Sequence, residues 1–357
     1  MPAVVCHEPF DYRLEEMAVP TPGPEEVLVQ VQSVGICASD IKCYQGAPLF
    51  WGDEHREAYC QAPVIPGHEF VGRVVSLGPG AAEKYGLEVG DVAVSEQIVP
   101  CWGCRYCQSG RYWMCRRHDI YGFRRSTPGA MAPYMVFPAG SLNYRVPPEV
   151  PVSHAVYIEP LACSIHAVER ANPQLGDVVV VAGAGPLGLG MVAAARRRGP
   201  RLLVSLDLND HRLEVARRCG ADLGLNPQST DVVEEVLRLT DGYGCDVYIE
   251  ATGHPAAVEQ GLRMVRKLGT FVSFSVMREP VTVDWTVIGD TKELDVLGSH
   301  LGPYCYPIAI DMLRRGELPM DAILTDRLPL TAYQQGIERM ATGEGGSIKV
   351  TLDPIAS

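Results

Sequence analysis

The sequence predicts an α/β protein of two unlike domains, an irregular strand-rich one and a doubly wound one built on a parallel sheet. Three observations carry that expectation. The 357 residues exceed what one ordinary hydrophobic core holds. Residues 154–301 alternate apolar strand runs with helical stretches, the order of a doubly wound parallel sheet. Residues 1–153 instead carry short strands cut by Gly and Pro turns, and residues 302–357 return to that first domain.

Composition narrows the function. Apolar content of 46% and charged content of 21% are those of a soluble globular chain. A net charge of −12 argues against nucleic acid as a partner, because a phosphate backbone calls for clustered Lys and Arg. Met1-Pro-Ala-Val-Val-Cys-His-Glu8 has neither a basic nor an apolar leader region, so a cytoplasmic protein without a membrane partner is expected. In such a chain twelve cysteines point to metal binding or catalysis rather than to disulfides.

In chain order, Pro20-Thr-Pro-Gly-Pro24 reads as a stiff loop and Val27–Val34 as a half-buried strand leading into Gly35-Ile-Cys37-Ala-Ser39-Asp40. Pro66-Gly67-His68-Glu69 follows, then the strands Arg73–Leu77 and Val92–Ser95. The segment between Cys37 and His68 holds Tyr44, Phe50, Trp51, His55 and Tyr59, which either cap a pocket or cover their own lobe. Cys101, Cys104, Cys107 and Cys115 give C-x2-C-x2-C-x7-C. Zinc takes four thiolates at a tetrahedron, short loops allow this locally, and no position is left for water, so this is read as a structural zinc site. The other cysteines (Cys6, Cys43, Cys60, Cys163, Cys219, Cys245, Cys305) are read as packing residues.

A helix from Ser153 to about Arg170, containing Glu159-Pro160-Leu161, carries the chain to the second domain. Val178–Val181 then reads as a strand buried on both faces, and Leu187–Arg198 as the helix after it. Between them Gly183, Gly185 and Gly188 fit G-x-G-x-x-G, with Pro186 and Leu187 inside the motif. The first glycine makes the tight turn, the second admits a pyrophosphate to the backbone, and the third lets helix and strand pack closely. The helix start holds the phosphate charge. Asp207 ends the next strand, Arg201–Leu206. A carboxylate there accepts from both adenosine ribose hydroxyls and repels a 2′-phosphate, so NAD is favoured over NADP, with Arg212 either flanking the ribose or solvated. Val178–Ala195 is uncharged and long enough for a membrane span, but its glycines, proline and one-ended β-branching fit strand–turn–helix instead. Further strands are expected at Ala221–Leu225, Cys245–Glu250 and Thr270–Ser275, and helices at Leu213–Cys219, Val232–Leu239, Ala256–Arg266 and Ile308–Arg315. Val281–Trp285 alternates and is expected as an edge strand where subunits pair.

Taken singly, Cys37, His68, Glu69 and Glu159 each have an ordinary reading as a buried thiol, a turn or a solvated helix residue. In combination, Gly35-Ile-Cys37-x-Ser39-Asp40, Gly67-His68-Glu69-x-x-Gly72, the four-cysteine lobe and the Gly183–Gly188 turn resemble the zinc-dependent medium-chain dehydrogenase/reductase family along nearly the whole chain. Glu159-Pro160-Leu161 is similar to its sorbitol and threonine dehydrogenase branch, and the chain as a whole most resembles the four-carbon polyol enzymes that act on erythritol and L-threitol. The resemblance implies a GroES-like catalytic domain with a Rossmann domain, and an assembly of two or four identical subunits. It implies one catalytic and one structural zinc per subunit, NAD, and a small polyol oxidised to a ketose. Cys37 and His68 would bind the catalytic zinc. Glu69 would be a third ligand or lie just behind it, and Glu159 would reach the metal directly or through water. Ser39 matches the family's proton relay and Asp40 would orient the ligand loop. Lys42 stands where relatives often carry a histidine, which leaves the end of the relay open. Sorbitol/xylitol or L-threonine oxidation, a metal-free NADPH-dependent quinone or enone reductase, and a non-catalytic zinc and nucleotide binder are the competing functions.

Overall fold

The computed structural model describes residues 1–355. The chain forms two compact units, one of Met1–Glu159, Ala309–Arg314 and the segment from Leu324 on, the other of Pro160–Ile308 and Arg315–Ile323. The divisions fall later than the 153/154 and 301/302 boundaries expected from sequence. They lie within continuous helices, Ile158–Ala171 and Tyr306–Arg314, where no turn residue marks them.

The second unit holds a six-stranded parallel sheet. Its order is Leu223–Leu225, Leu202–Leu206, Val178–Ala182, Cys245–Glu250, Val265–Ser273, Asp295–Gly298. Numbered within the unit this is 3-2-1-4-5-6, with the switch in strand order beside Val178–Ala182. Val178, Val179, Val180 and Val181 are all fully buried, as a strand covered on both faces requires, and each such side chain contributes about 1.5–3 kcal/mol by burial. Helix Pro186–Arg196 follows the glycine turn. Later helices start on side-chain caps: Asn209 accepts from the N–H groups of His211 and Arg212, and Asp231 from those of Val233 and Glu234. The uncharged run at Val178–Ala195 is thus strand, turn and helix, and no helix among the described residues is long and apolar enough to cross a membrane.

Two local expectations are corrected. Val281–Trp285 forms no strand. It follows Pro280, finds no ladder partner, and leaves Trp285 72% exposed. The edge position is taken by Asp295–Gly298, paired in parallel with Thr270–Ser273. The expected helix Ser153–Arg170 is broken into Val152–Ala155 and Ile158–Ala171. Pro160 falls in the first turn of the second piece, where a missing N–H costs nothing.

The first unit is organised on a sheet in the order Leu324–Pro329, Lys349–Asp353, Val27–Gly35, Glu69–Leu77, Val92–Ser95, Asn143–Arg145, with Tyr134–Phe137 also paired to Val27–Gly35. Val27–Gly35 and Glu69–Leu77 run antiparallel, with Gly35 opposite Glu69. The residues just beyond the first strand therefore meet those just before the second. Lys349–Asp353 lies on the other side of Val27–Gly35, with Thr351 opposite Gly35.

Candidate active site and metal centres

The antiparallel register brings Cys37 to His68 and Glu69. Their donor atoms all lie within 4.8 Å of one another, and His68 and Glu69 are buried. Thiolate, imidazole and carboxylate are zinc's usual donors, and three protein ligands with a fourth position free is the composition of a catalytic zinc. The groups around them fix their orientation. Asp40 Oδ2 accepts from the Cys37 N–H at 2.9 Å, while Asp40 Oδ1 faces His68 Nδ1 at 3.4 Å. Ser39 Oγ lies 3.3 Å from the other ring nitrogen, Nε2. A carboxylate behind one imidazole nitrogen leaves the other for a metal. Burial opposes a proton on His68, yet the Asp40 carboxylate and the Cys37 sulfur together hold its pKa well above the usual imidazole value. A cation is therefore favoured among these groups.

Lys349, which sequence reasoning missed, lies behind Glu69. Its Nζ is paired with Glu69 Oε2 and donates to the Ile36 carbonyl at 2.9 Å, and it is buried. Burial works against its charge, but Glu69, Cys37 and Glu159 outweigh that and raise its pKa. Gly35 makes the space for the pair, because a Cβ there would come within 2.3 Å of Glu69 Oε2 and 3.0 Å of Lys349 Cε. Glu159, expected at the metal, lies outside the three-donor group. It is buried, and its Oε1 accepts from Gln97 Nε2 at 2.6 Å, a second contact that no local motif announces. The only hint of Lys349 is a lone lysine in an alternating strand.

Cys101, Cys104, Cys107 and Cys115 converge with their sulfurs within 4.8 Å of one another. Backbone N–H groups point at the sulfurs, Cys101 N–H to Cys115 Sγ at 3.3 Å and Arg116 N–H to Cys104 Sγ at 3.5 Å. The Arg116 N–H is the chief reason the Cys104 thiol is lowered to about 6, towards the thiolate that binds metal. A zinc bound by all four would have no position left for water.

The aromatic residues between Cys37 and His68 mostly cover their own unit. Tyr44 packs edge-on to Phe10 and Tyr12, Phe50 stacks on Phe123 at 5.0 Å, and Tyr59 donates to the His118 carbonyl. Phe123 in turn lies 5.4 Å from the His68 ring.

In the second unit the glycine turn has the expected form. Gly183 has φ of +102°, and a Cβ on Gly188 would lie 1.7 Å from the Gly183 carbonyl oxygen, whereas one on Gly185 would meet nothing within 4 Å. The middle glycine thus leaves open space where its neighbours are tightly packed. Pro186 opens the helix and the Leu187 carbonyl accepts from Ser164 Oγ. Asp207 Oδ2 accepts from the Ala184 N–H at 2.8 Å and Oδ1 from the Asn209 N–H at 2.9 Å. Each oxygen keeps a lone pair for a ribose hydroxyl. Arg212 lies in the first turn of the helix that Asn209 caps.

Residues 23–148 match the family model for the alcohol dehydrogenase GroES-like domain, and residues 186–315 match that for zinc-binding dehydrogenase. The chain belongs to the zinc-binding dehydrogenases. It is 56% identical to the erythritol/L-threitol dehydrogenase of Mycolicibacterium smegmatis over 354 residues, 99% of this chain and 98% of that one. It is 35% identical to the L-threonine 3-dehydrogenase of Pyrococcus horikoshii over 99% of both chains. Among solved structures, one described as a zinc-binding dehydrogenase from Sinorhizobium meliloti, bound to NADP, superposes with a TM-score of 0.89 at 28% identity over 99% of both chains. This dehydrogenase is therefore an oxidoreductase of the alcohol dehydrogenase type, with a GroES-like domain and a parallel-sheet Rossmann domain, as its sequence resemblance implied.

Proposed function

We propose that the protein oxidises a secondary hydroxyl of a four-carbon polyol, erythritol or L-threitol, to the ketose, with NAD as the hydride acceptor. The observation that carries the substrate is the 56% identity to an erythritol/L-threitol dehydrogenase along the whole chain, well above the 35% to a threonine dehydrogenase. Each turnover converts the alcohol and NAD⁺ into ketone, NADH and one proton. Cys37, His68 and Glu69 hold the catalytic zinc, with Glu159 as an alternative or water-bridged ligand, and Cys101, Cys104, Cys107 and Cys115 hold a structural one. Zinc held there would lower the pKa of a coordinated hydroxyl towards ~7, and NAD would accept the hydride.

The chain's own residues do the rest. Asp40 keeps the His68 ring oriented from the Nδ1 side. Ser39, against Nε2, takes the substrate proton and hands it on through the cofactor ribose, Lys42 or water. Lys349 pairs with Glu69 from behind and tempers its binding to the metal. Gly183, Gly185, Pro186, Leu187 and Gly188 seat the pyrophosphate, and Asp207, with Arg212 beside it, binds the adenosine ribose. The Asp207 carboxylate supports NAD over NADP because a 2′-phosphate would meet its charge.

We further infer a cytoplasmic homo-oligomer, a dimer or a tetramer. The free edge strand Asp295–Gly298, with Val296 42% exposed, and the exposed Trp285 support self-association through the second unit. The test is a panel of erythritol, L-threitol, xylitol, sorbitol and L-threonine with NAD and with NADP on metal-analysed protein, read as reduced-cofactor absorbance. Highest kcat/KM on a tetritol with NAD is expected. Turnover of threonine alone, or undiminished activity after complete zinc removal, overturns the assignment.

A further inference from the structure

Three cysteines that no zinc site uses come together in the first unit. Cys6 lies on the strand Pro2–Glu8, Cys43 on the helix Ala38–Tyr44, and Cys60 on the loop that precedes His68. Their sulfurs all lie within 4.8 Å of one another, the same closeness that gathers the four cysteines of the lobe. None is in a disulfide, and the three are only 1%, 1% and 6% exposed, so water is excluded from the cluster.

We propose that Cys6, Cys43 and Cys60 form a third metal site, a trigonal thiolate site for a soft monovalent d10 cation of the Cu(I) class. Three sulfurs about one ion at ~2.3 Å lie roughly 4 Å apart, a spacing compatible with the observed cluster. Ligand number and type select the ion. Structural zinc takes four N or S donors, whereas three thiols are gathered here, with the Tyr12 phenol beside them. Soft thiolates in a water-excluding pocket suit Cu(I). The shell is aromatic: Tyr12 meets Tyr44 edge-on at 5.0 Å, and Trp51 donates to the Cys43 carbonyl at 2.7 Å.

Charge and access also fit. Arg124 beside Cys60 offsets part of the negative charge that builds as the thiols give up their protons to solvent. A surface cleft of about 690 Å³, lined by His7, Trp51, Cys60 and Arg125 among others, reaches the cluster at Cys60 and provides the entry path. A disulfide would use two of these sulfurs and leave the third without a role. The three-way convergence is what a metal requires.

The test uses the zinc-loaded full-length enzyme under anaerobic conditions, titrated with Cu(I) against a competing Cu(I) chelator. One equivalent of copper is expected to be retained, with a thiolate-to-copper band in the ultraviolet and unchanged zinc content. Cys43→Ala and Cys60→Ser should each lower the copper retained by about tenfold or more while leaving zinc content and circular dichroism as in the wild type. Should either variant fail to fold, the wild-type protein still decides the matter, because bound copper should slow alkylation of Cys60. The proposal is overturned if no copper is retained, if copper is retained only as zinc is released, if folded variants retain it equally, or if Cys60 alkylates at the same rate with and without copper. A Cys6, Cys43 or Cys60 disulfide in the freshly isolated protein also overturns it.

Discussion

The Lys349 ammonium is buried against the Glu69 carboxylate, on the strand that flanks the one carrying Gly35. Removing one partner of such a pair leaves the other as an uncompensated buried charge, which costs about 3–5 kcal/mol. Lys349→Met is therefore expected to destabilise the protein by about that amount in urea denaturation at matched metal content, and Lys349→Met with Glu69→Gln to recover much of it. A purely additive double variant would show that the two groups are not coupled.

Asp40 bridges the Cys37 backbone and the His68 ring. Asp40→Asn keeps the shape but removes the charge behind the imidazole, so affinity for the catalytic zinc should fall about 10–100-fold, as it does when metal-ligand partners are lost elsewhere. Zinc content measured by chelator competition reads this directly. Cys37→Ser should lose the catalytic zinc and turnover while retaining the lobe zinc and NAD binding. Full turnover in that variant would remove Cys37 from the site.

The two later glycines of the dinucleotide turn should respond differently to one methyl group. In Gly188→Ala the Cβ meets the Gly183 carbonyl oxygen at 1.7 Å, both of them backbone-fixed, so helix and strand must separate and the second unit should lose stability. In Gly185→Ala the Cβ meets nothing within 4 Å, so the protein should fold as the wild type does and lose affinity for NAD, because the methyl occupies the approach of the pyrophosphate. Thermal melting separates the first effect, and nucleotide titration by fluorescence the second. Wild-type NAD affinity in Gly185→Ala would mean that the cofactor binds elsewhere.

What the sequence reveals depends on how far apart the interacting parts lie. The glycine turn and the cysteine lobe are local, and strand–turn–helix order or thiol spacing specifies each within a few residues. Cys37 and His68 are legible only as a pair of flanking motifs, because a non-local antiparallel register is what joins them. Lys349 donates to Ile36, 313 residues away, and Gln97 to Glu159 across 62, and no periodicity encodes either contact. Val281–Trp285 misleads for the opposite reason: its alternation is local, but a strand also needs an unpaired neighbour, and Asp295–Gly298 occupies that edge.

His166, inside the helix Ile158–Ala171, should make the second unit sensitive to acid. Burial, helped by the neighbouring Arg170 charge, pushes its pKa down to about 4, and Glu169 and Cys305 also face it. In the unfolded chain the imidazole titrates near ~6.5. Between about 6.5 and about 4 the unfolded state binds the proton and the folded state does not, so stability falls as the pH is lowered through that window. The full difference amounts to at most about 3 kcal/mol. His166→Gln should flatten the dependence of the urea midpoint on pH between those limits and leave the midpoint near neutrality little changed. An equally steep acid dependence in that variant would assign the sensitivity to other groups.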